Sequence, residues 1–234
     1  MDNNDKIDKS KSVFTFQDIV EQKDNNKSLD FRKNYRALDF WETSADYYCK
    51  SFEKVGHFQQ NIGFILQSLE IMKPKSLLDV GCGFGRLLPF INDGMKESAP
   101  FPIVGIDFCQ RMVEQSEKYL DNYPQKEKIK ILMLDARALP YKDNEFECCM
   151  TDELFTHLKF NDAQKVANEM ARVSSKYILS RERYVFDGEH PEPHVYSWDI
   201  NKFFRWKVLQ RKFISQGIVG TVLEKPAEKR SMGK

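Results

Sequence analysis

Short apolar runs alternate with segments of helical periodicity through the middle of the chain. The apolar runs predict buried strands, and they occupy residues 76–80, 102–107, 129–134, 146–151 and 176–181. Segments between them repeat apolar residues at helical spacing and predict helices, over residues 85–92, 110–122 and 161–173. Repeated strand–helix units predict a mostly parallel sheet with helices on both faces.

Two regions lie outside this alternation. Residues 29–69 keep helical periodicity and predict a helical extension before the first strand. Residues 206–214 and 218–223 are β-rich and are joined by a Ser-Gln-Gly turn, which predicts an antiparallel hairpin. We therefore expect four parts: a polar, partly disordered segment 1–28, a helical lid or extension 29–72, a ligand-binding α/β domain 73–225 and a charged tail 226–234.

The first predicted strand ends in a glycine-rich turn, Asp-Val-Gly-Cys-Gly-Phe-Gly over residues 79–85. Glycines allow a tight turn in which a ligand lies against bare amides, and the amides at a helix start carry partial positive charge. The spacing differs from the dinucleotide fingerprint G-x-G-x-x-G, and no Lys-Ser/Thr pair follows as in a phosphate-binding loop. The carboxylate of Asp79 favours a cationic ligand over a pyrophosphate.

This turn resembles motif I of the class I S-adenosylmethionine (SAM)-dependent methyltransferases. The run Leu139-Pro140-Tyr141 with Glu145-Phe146 is similar to a later motif of that family, with Tyr in place of Phe and Glu147 where Asp is usual. The resemblance covers residues 76–183. It implies a Rossmann-like α/β fold, a mostly parallel seven-stranded sheet that ends in an antiparallel C-terminal hairpin, with SAM as the cofactor.

Acidic residues end three successive predicted strands, at Asp79, Asp107 and Asp135. Ligands of open parallel sheets bind at the carboxyl ends of the strands. Bare carboxylates at buried edges are costly, so we expect a polar, cationic ligand to supply their partners. The resemblance implies that Asp107 binds a ribose diol and that Asp135 binds the adenine amino group. An alternative for Asp107 is a helix N-cap.

The resemblance implies a larger set of cofactor-binding residues around these acids. Phe108 would stack on adenine, Met112 would pack beneath it, and Thr151 would line the methionine portion of SAM. The predicted cofactor-binding residues are Asp79, Gly81, Cys82, Gly83, Phe84, Gly85, Asp107, Phe108, Met112, Asp135, Ala136, Thr151 and Tyr48.

The loop after the fourth strand resembles the Glu-x-x-x-His run of several small-molecule methyltransferases. We predict His157 as the general base, assisted by Glu153. The alternatives are a packing histidine and a charge at a helix start. Predicted substrate contacts are Trp41, Tyr184, His190 and His194, although Trp41 can equally be a core residue. The two histidines near Pro191 and Pro193 offer no helical ligand spacing, so we predict no metal site.

Composition limits the partners and the cellular location that we expect. The chain has 234 residues and a formal net charge of +1, which gives no electrostatic reason to expect a nucleic acid or a membrane surface as a partner. Its five cysteines lack Cys-x-x-Cys spacing, and the polar start lacks the apolar core of a signal peptide. We therefore expect a cytoplasmic protein with reduced cysteines, present as a monomer or homodimer.

These features predict a methyltransferase that acts on a hydroxyl or amine of a small molecule, of the sugar or secondary-metabolite class. One alternative is methylation of RNA or protein, with Arg205, Lys207, Arg211 and Lys212 of the hairpin facing phosphates. Others are a non-catalytic SAM-binding partner subunit and a dinucleotide-dependent dehydrogenase.

Overall fold

The computed structural model describes residues 36–53, 58–95, 103–184, 195–215 and 217–227. A central sheet of seven strands organises them. The strands are β1 (Leu77–Val80), β2 (Ile103–Asp107), β3 (Ile129–Met133), β4 (Phe146–Asp152), β5 (Ser174–Arg183), β6 (Lys207–Ser215) and β7 (Ile218–Glu224). Their spatial order is β3-β2-β1-β4-β5-β7-β6.

The first five strands are parallel, and the last two form an antiparallel hairpin on β5. The predicted mostly parallel sheet with a C-terminal hairpin is therefore confirmed. Because the order reverses beside β1, the carboxyl ends of β1, β2 and β4 flank a crevice, the position at which such sheets bind ligands. The glycine-rich turn follows β1 and lies at this point.

Five helices of the described residues cover the sheet. They are α1 (Ala37–Glu53), α2 (Phe58–Met72), α3 (Leu88–Gly94), α4 (Gln110–Leu120) and α5 (Phe160–Val173). Strand residues alternate between the two faces, so that Leu77 packs in a core with α2 and α3 while Leu78 packs in a second core with α5. Helix α1 belongs to neither core and lies over the glycine-rich turn and the start of α4.

Some predicted boundaries shift in the structure. The helix expected from residue 85 begins at Leu88, because Gly85 has φ +71° and cannot continue a right-handed helix. Strand β5 extends beyond the predicted 176–181 at both ends, since it pairs with β4 from Ser174 and with β7 up to Arg183. The proposed boundaries at 28 and 226 remain predictions.

Within the described part of the chain, no helix has the length and apolar character required to cross a membrane.

Candidate active site

The glycine-rich turn after β1 has a backbone that only glycine adopts without strain. Gly81, Gly83 and Gly85 all have positive φ, between +56° and +75°. The N–H groups of Gly81 and Cys82 donate to the carbonyl of Ile106, which ties the turn to the end of β2. A Cβ atom on Gly81 would lie 2.7 Å from a methyl carbon of Leu154, whereas one on Gly83 would meet nothing within 4 Å. Gly83 therefore presents bare backbone to open space.

The carboxylate of Asp107 is held between two loops. Its Oδ2 accepts the N–H of Gly83 and its Oδ1 the N–H of Cys109, both at 2.9 Å. Burial raises the pKa of Asp107 to about 6, while these amides oppose the shift. The N-cap position of α4 is Cys109, so Asp107 is not that cap. The two amides orient its carboxylate beside Gly83.

A cavity of about 410 Å³ opens at the carboxyl ends of the strands. It brings together residues from helix α1, the glycine-rich turn and the ends of β2 to β5. Of the predicted site residues, it is lined by Trp41, Tyr48, Gly81, Gly83, Asp107, Phe108, Met112, Asp135, Ala136, Glu153 and His157.

Other predicted residues lie beneath or beside the cavity rather than in its wall. Phe84 is buried against Tyr48 and Tyr119, and the sulfur of Cys82 fills the space that Gly105 leaves open. Gly85 lies against Ile131, and Thr151 is buried in β4. These residues shape the floor of the site and do not face its ligand space.

Of the predicted substrate residues after β5, only Tyr184 is among the described residues, and it does not line the cavity. Tyr184 donates its N–H to Gly217 and lies under the guanidinium of Arg211. His190 and His194 lie outside the described residues.

The expectation of three bare carboxylates is wrong for two of them. Asp107 is bound by backbone amides, and Asp135 is half exposed and pairs with Arg137 at 2.7 Å. Only Asp79 is deeply buried with an oxygen, Oδ1, that has no hydrogen-bond partner among the described residues. Burial raises the pKa of Asp79 well above its usual range. Two of the three acids therefore already have partners from the protein.

We call one side of the cavity the donor side. It is formed by Gly81, Gly83, Asp107, Phe108 and Met112. Burial and backbone geometry define it. Phe108 is half-buried and Met112 is fully buried, and both belong to the cluster under α1. This side offers an apolar surface next to an oriented carboxylate and a bare glycine.

The opposite side is an ion-pair wall made of Arg86, Asp152, Glu153, Arg181 and Arg183. The carboxylate of Asp152 accepts from Arg181 at 2.5 Å and from Arg86 at 3.0 Å. Glu153 lies 3.5 Å from Arg181 and 3.6 Å from Arg183.

Most of this ion-pair wall was not among the predicted site residues. Asp152 and Arg181 are almost completely buried, at 5% and 4% side-chain exposure. Buried charges of this kind need partners. The available signal in the sequence was the charged run Arg181-Glu182-Arg183 at the end of an apolar strand.

Helix α1 forms the roof of the cavity. The ring of Trp41 meets the imidazole of His157 edge to face, with centroids 4.9 Å apart, and meets Tyr48 at 5.2 Å. Glu42 accepts the N–H of Gln110, the first residue of α4. Burial raises the pKa of Tyr48 to about 12, so its hydroxyl is protonated at neutral pH. The roof is therefore neutral and aromatic over the space between His157 and the donor side.

The fold and site together define a Rossmann-like α/β protein with a ligand cavity at the topological switch point. Residues 77–176 match a family model described as a methyltransferase domain. The solved structure of a SAM-dependent methyltransferase from Aquifex aeolicus superposes with a TM-score of 0.55 at 19% identity, over 68% of this chain and 88% of that one. Residues 77–176 are thus similar to a methyltransferase domain, and the fold is that of a solved SAM-dependent methyltransferase, a class of enzyme whose cofactor is SAM.

Two curated relatives match the same region. Norajmaline N-methyltransferase of Rauvolfia serpentina is 30% identical over 103 residues, which cover 44% of this chain and 33% of that protein. Demethylmenaquinone methyltransferase of Lysinibacillus sphaericus is 32% identical over 112 residues, which cover 47% of this chain and 45% of that protein. The matched region thus spans less than half the length of either relative.

Proposed function

We propose that this protein transfers a methyl group from SAM to a hydroxyl or amine of a small-molecule acceptor, of the sugar or secondary-metabolite class. The observation that carries the proposal is a single cavity that joins the donor side to His157 under an aromatic roof. Both relatives, norajmaline N-methyltransferase and demethylmenaquinone methyltransferase, are named for methylation of small molecules, which supports the acceptor class.

The residues around the cavity fit SAM. The open space above Gly83 accommodates a ligand against bare backbone. Asp107 can accept hydrogen bonds from a ribose diol, and Phe108 offers a ring for adenine. The described lining residues include five carboxylates and four guanidiniums, a balance that suits a cofactor with one net positive charge.

SAM supplies an activated methyl group on a sulfonium, so the protein need only orient an acceptor and exclude water. Trp41 and Tyr48 close the roof above that position. Holding the acceptor in line can contribute roughly 7–11 kcal/mol. Bound SAM would supply this methyl group to the acceptor oxygen or nitrogen and would be left as S-adenosylhomocysteine.

His157 is proposed to take the proton from an acceptor hydroxyl. Its imidazole lines the cavity and lies against Trp41, so a substrate under the roof is within its reach. Glu153 is proposed to assist through the electrostatics of the ion-pair wall. An acceptor amine of low pKa would need no strong base.

Cofactor binding is tested with two glycine variants that have matched backbones. Gly83 and Gly217 have φ +56° and +70°, and a Cβ on either meets nothing closer than 3.7 Å. Alanine at each position should therefore cost a similar 1–2 kcal/mol of stability. Only Gly83→Ala places a methyl group in the cavity, so only this variant should lose affinity for S-adenosylhomocysteine in calorimetry. Equal affinity in both variants, or tighter binding of NAD by the wild type, contradicts the proposal.

The acceptor class is tested by incubating the protein with radiolabelled SAM and separate pools of small molecules, tRNA, rRNA and protein. Label in the small-molecule pool is expected. Two of the four basic hairpin residues are already ion-paired, Lys207 with Glu224 and Arg211 with Asp199. Turnover confined to RNA or protein would overturn the small-molecule assignment, and cofactor binding without any turnover would indicate a non-catalytic subunit.

A further inference from the structure

A buried glutamate lies behind the turn that carries His157. Glu182 is in β5 and is 3% exposed. Its Oε1 accepts the N–H of Leu154 at 3.2 Å, and its Oε2 accepts the N–H of Thr156 at 3.3 Å. Glu182 does not line the cavity. Its carboxyl group thus contacts the turn from the protein side, opposite the ligand space.

The turn from Glu153 to His157 needs such support. Glu153 has φ +59°, a left-handed conformation that is costly for a residue with a side chain. The side chain of Leu154 packs against Gly81, so the turn is also in contact with the glycine-rich turn on its other side. Buried N–H groups at this position would be costly without acceptors.

We propose that Glu182 is a positioning residue that holds the turn 154–156, and through it the imidazole of His157, against the cavity. The role rests on the proposed function, because it assigns to Glu182 the placement of the general base. Two separate N–H groups point at two separate oxygens, an arrangement that a carboxyl group satisfies. A glutamine side chain has one acceptor oxygen and leaves the second N–H facing an NH₂ group.

The protonation of Glu182 gives this arrangement a pH dependence. Burial, together with the nearby carboxylates of Asp152 and Glu153, raises the pKa of Glu182 to about 8. The Thr151 hydroxyl and the N–H of Phe155 oppose the shift, and the adjacent Arg181 also interacts with Glu182.

The direction of this pH dependence follows from the hydration of the Glu182 carboxyl group. Opening the turn lets water reach the carboxyl group and returns its pKa toward the ordinary range of a glutamate. The state with the lower pKa is favoured as pH rises. The closed turn is therefore fully stabilised below the ordinary pKa of a glutamate and is progressively weakened as pH rises from that range to about 8.

The test is amide hydrogen exchange of the full chain, followed by mass spectrometry of the peptide that contains residues 154–157. Glu182→Gln should speed exchange in this peptide by about 5- to 100-fold at pH 7, because one buried N–H loses its acceptor. Between the ordinary pKa range of a glutamate and about pH 8, the opening constant of the wild type should rise by up to about tenfold per pH unit after correction for intrinsic exchange, and it should level off above that pH. In Glu182→Gln this dependence should be absent.

Glu169→Gln is the matched control. Glu169 accepts the backbone N–H of Leu139 at 2.7 Å and supports a different loop outside the cavity. This variant should leave exchange of residues 154–157 unchanged. The proposal is overturned if the turn exchanges as slowly in Glu182→Gln as in the wild type, or if exchange of the turn speeds up equally in both variants. The Gln variant keeps the side-chain shape, so the test does not depend on whether Glu182→Ala folds.

A kinetic readout separates positioning from general destabilisation. With an acceptor found in the labelled pools, Glu182→Gln should lower kcat by about 10- to 100-fold, within the range of a misplaced general base. Its affinity for S-adenosylhomocysteine should stay within about threefold of the wild type. An unchanged kcat contradicts the proposal. Failure of the wild type to bind S-adenosylhomocysteine contradicts the proposed function alone, because the exchange result needs no cofactor.

Discussion

The donor side and the ion-pair wall face each other across one cavity but are built by different means. The donor side depends on backbone: positive φ at Gly81 and Gly83, and amides that orient Asp107. The ion-pair wall depends on long side chains from separate parts of the chain, with Asp152 bridging Arg86 and Arg181. The cavity thus combines a proposed cofactor surface set by the backbone with a wall whose geometry depends on mutual pairing of its charges.

The largest expected effect is on the ion-pair wall. Arg181→Ala removes one of the two cations that pair with Asp152, which is itself 5% exposed. Because a buried carboxylate then loses much of its compensation, unfolding free energy should fall by about 3–5 kcal/mol. Urea denaturation measures the change.

Arg111→Ala is the control for this variant. Arg111 pairs with Asp46 at 3.8 Å, with about half of each side chain exposed. Such surface pairs contribute about 0–1 kcal/mol. If both variants have similar stability, the wall does not depend on buried pairing.

The next effect is on the donor side. Asp107→Ala removes the carboxylate proposed to bind the ribose diol and should weaken S-adenosylhomocysteine binding by about 2–4 kcal/mol, measured by calorimetry. Asp121→Ala, at an exposed pair with Lys126, is the control and should bind like the wild type. Unchanged affinity in Asp107→Ala would remove the basis for assigning this side to the cofactor.

The same residue should give cofactor binding a dependence on pH. The pKa of Asp107 in the free protein is about 6. Diol donors stabilise its carboxylate form, so bound cofactor lowers this pKa and affinity should weaken as pH falls through about 6. The loss should approach tenfold per pH unit below that value.

Titrations with S-adenosylhomocysteine between pH 5 and pH 8 measure this dependence on the wild type and on Asp107→Asn. The Asn variant cannot ionise at this position and should lack the effect. A decline of the same slope in both proteins would assign the titration to another group.

The smallest effect concerns the roof. Glu42→Gln weakens the acceptor of the Gln110 N–H and should lower stability by about 0.5–1 kcal/mol. Cofactor affinity should change by less than threefold, because Trp41 and its aromatic contacts remain. Thermal unfolding measures the change in stability, and calorimetry measures the change in cofactor affinity. A much larger loss of affinity would show that α1 is held mainly by this hydrogen bond.

The ion-pair wall also shows where sequence reasoning was limited. Glu153 and His157 were predicted from a local run, but Arg181 follows them by more than twenty positions in the sequence. Its contact with Asp152 depends on the register that pairs these two residues across β4 and β5. Asp135 is not a bare acid for a local reason, since Arg137 folds back on it across a short turn.

The sequence by itself determined the order of strands and helices, the hairpin and the glycine-rich turn, because periodicity and glycine conformation are local properties. It also predicted Asp107 at the end of a strand, because that position follows from the βα repeat. Tertiary structure alone decided that Cys82, Phe84 and Thr151 lie outside the cavity wall. It also brought Arg86, Asp152 and Arg181 together and placed Glu182 behind His157. Side chains on different strands meet only through sheet register and packing, and neither can be derived from any single segment of the chain.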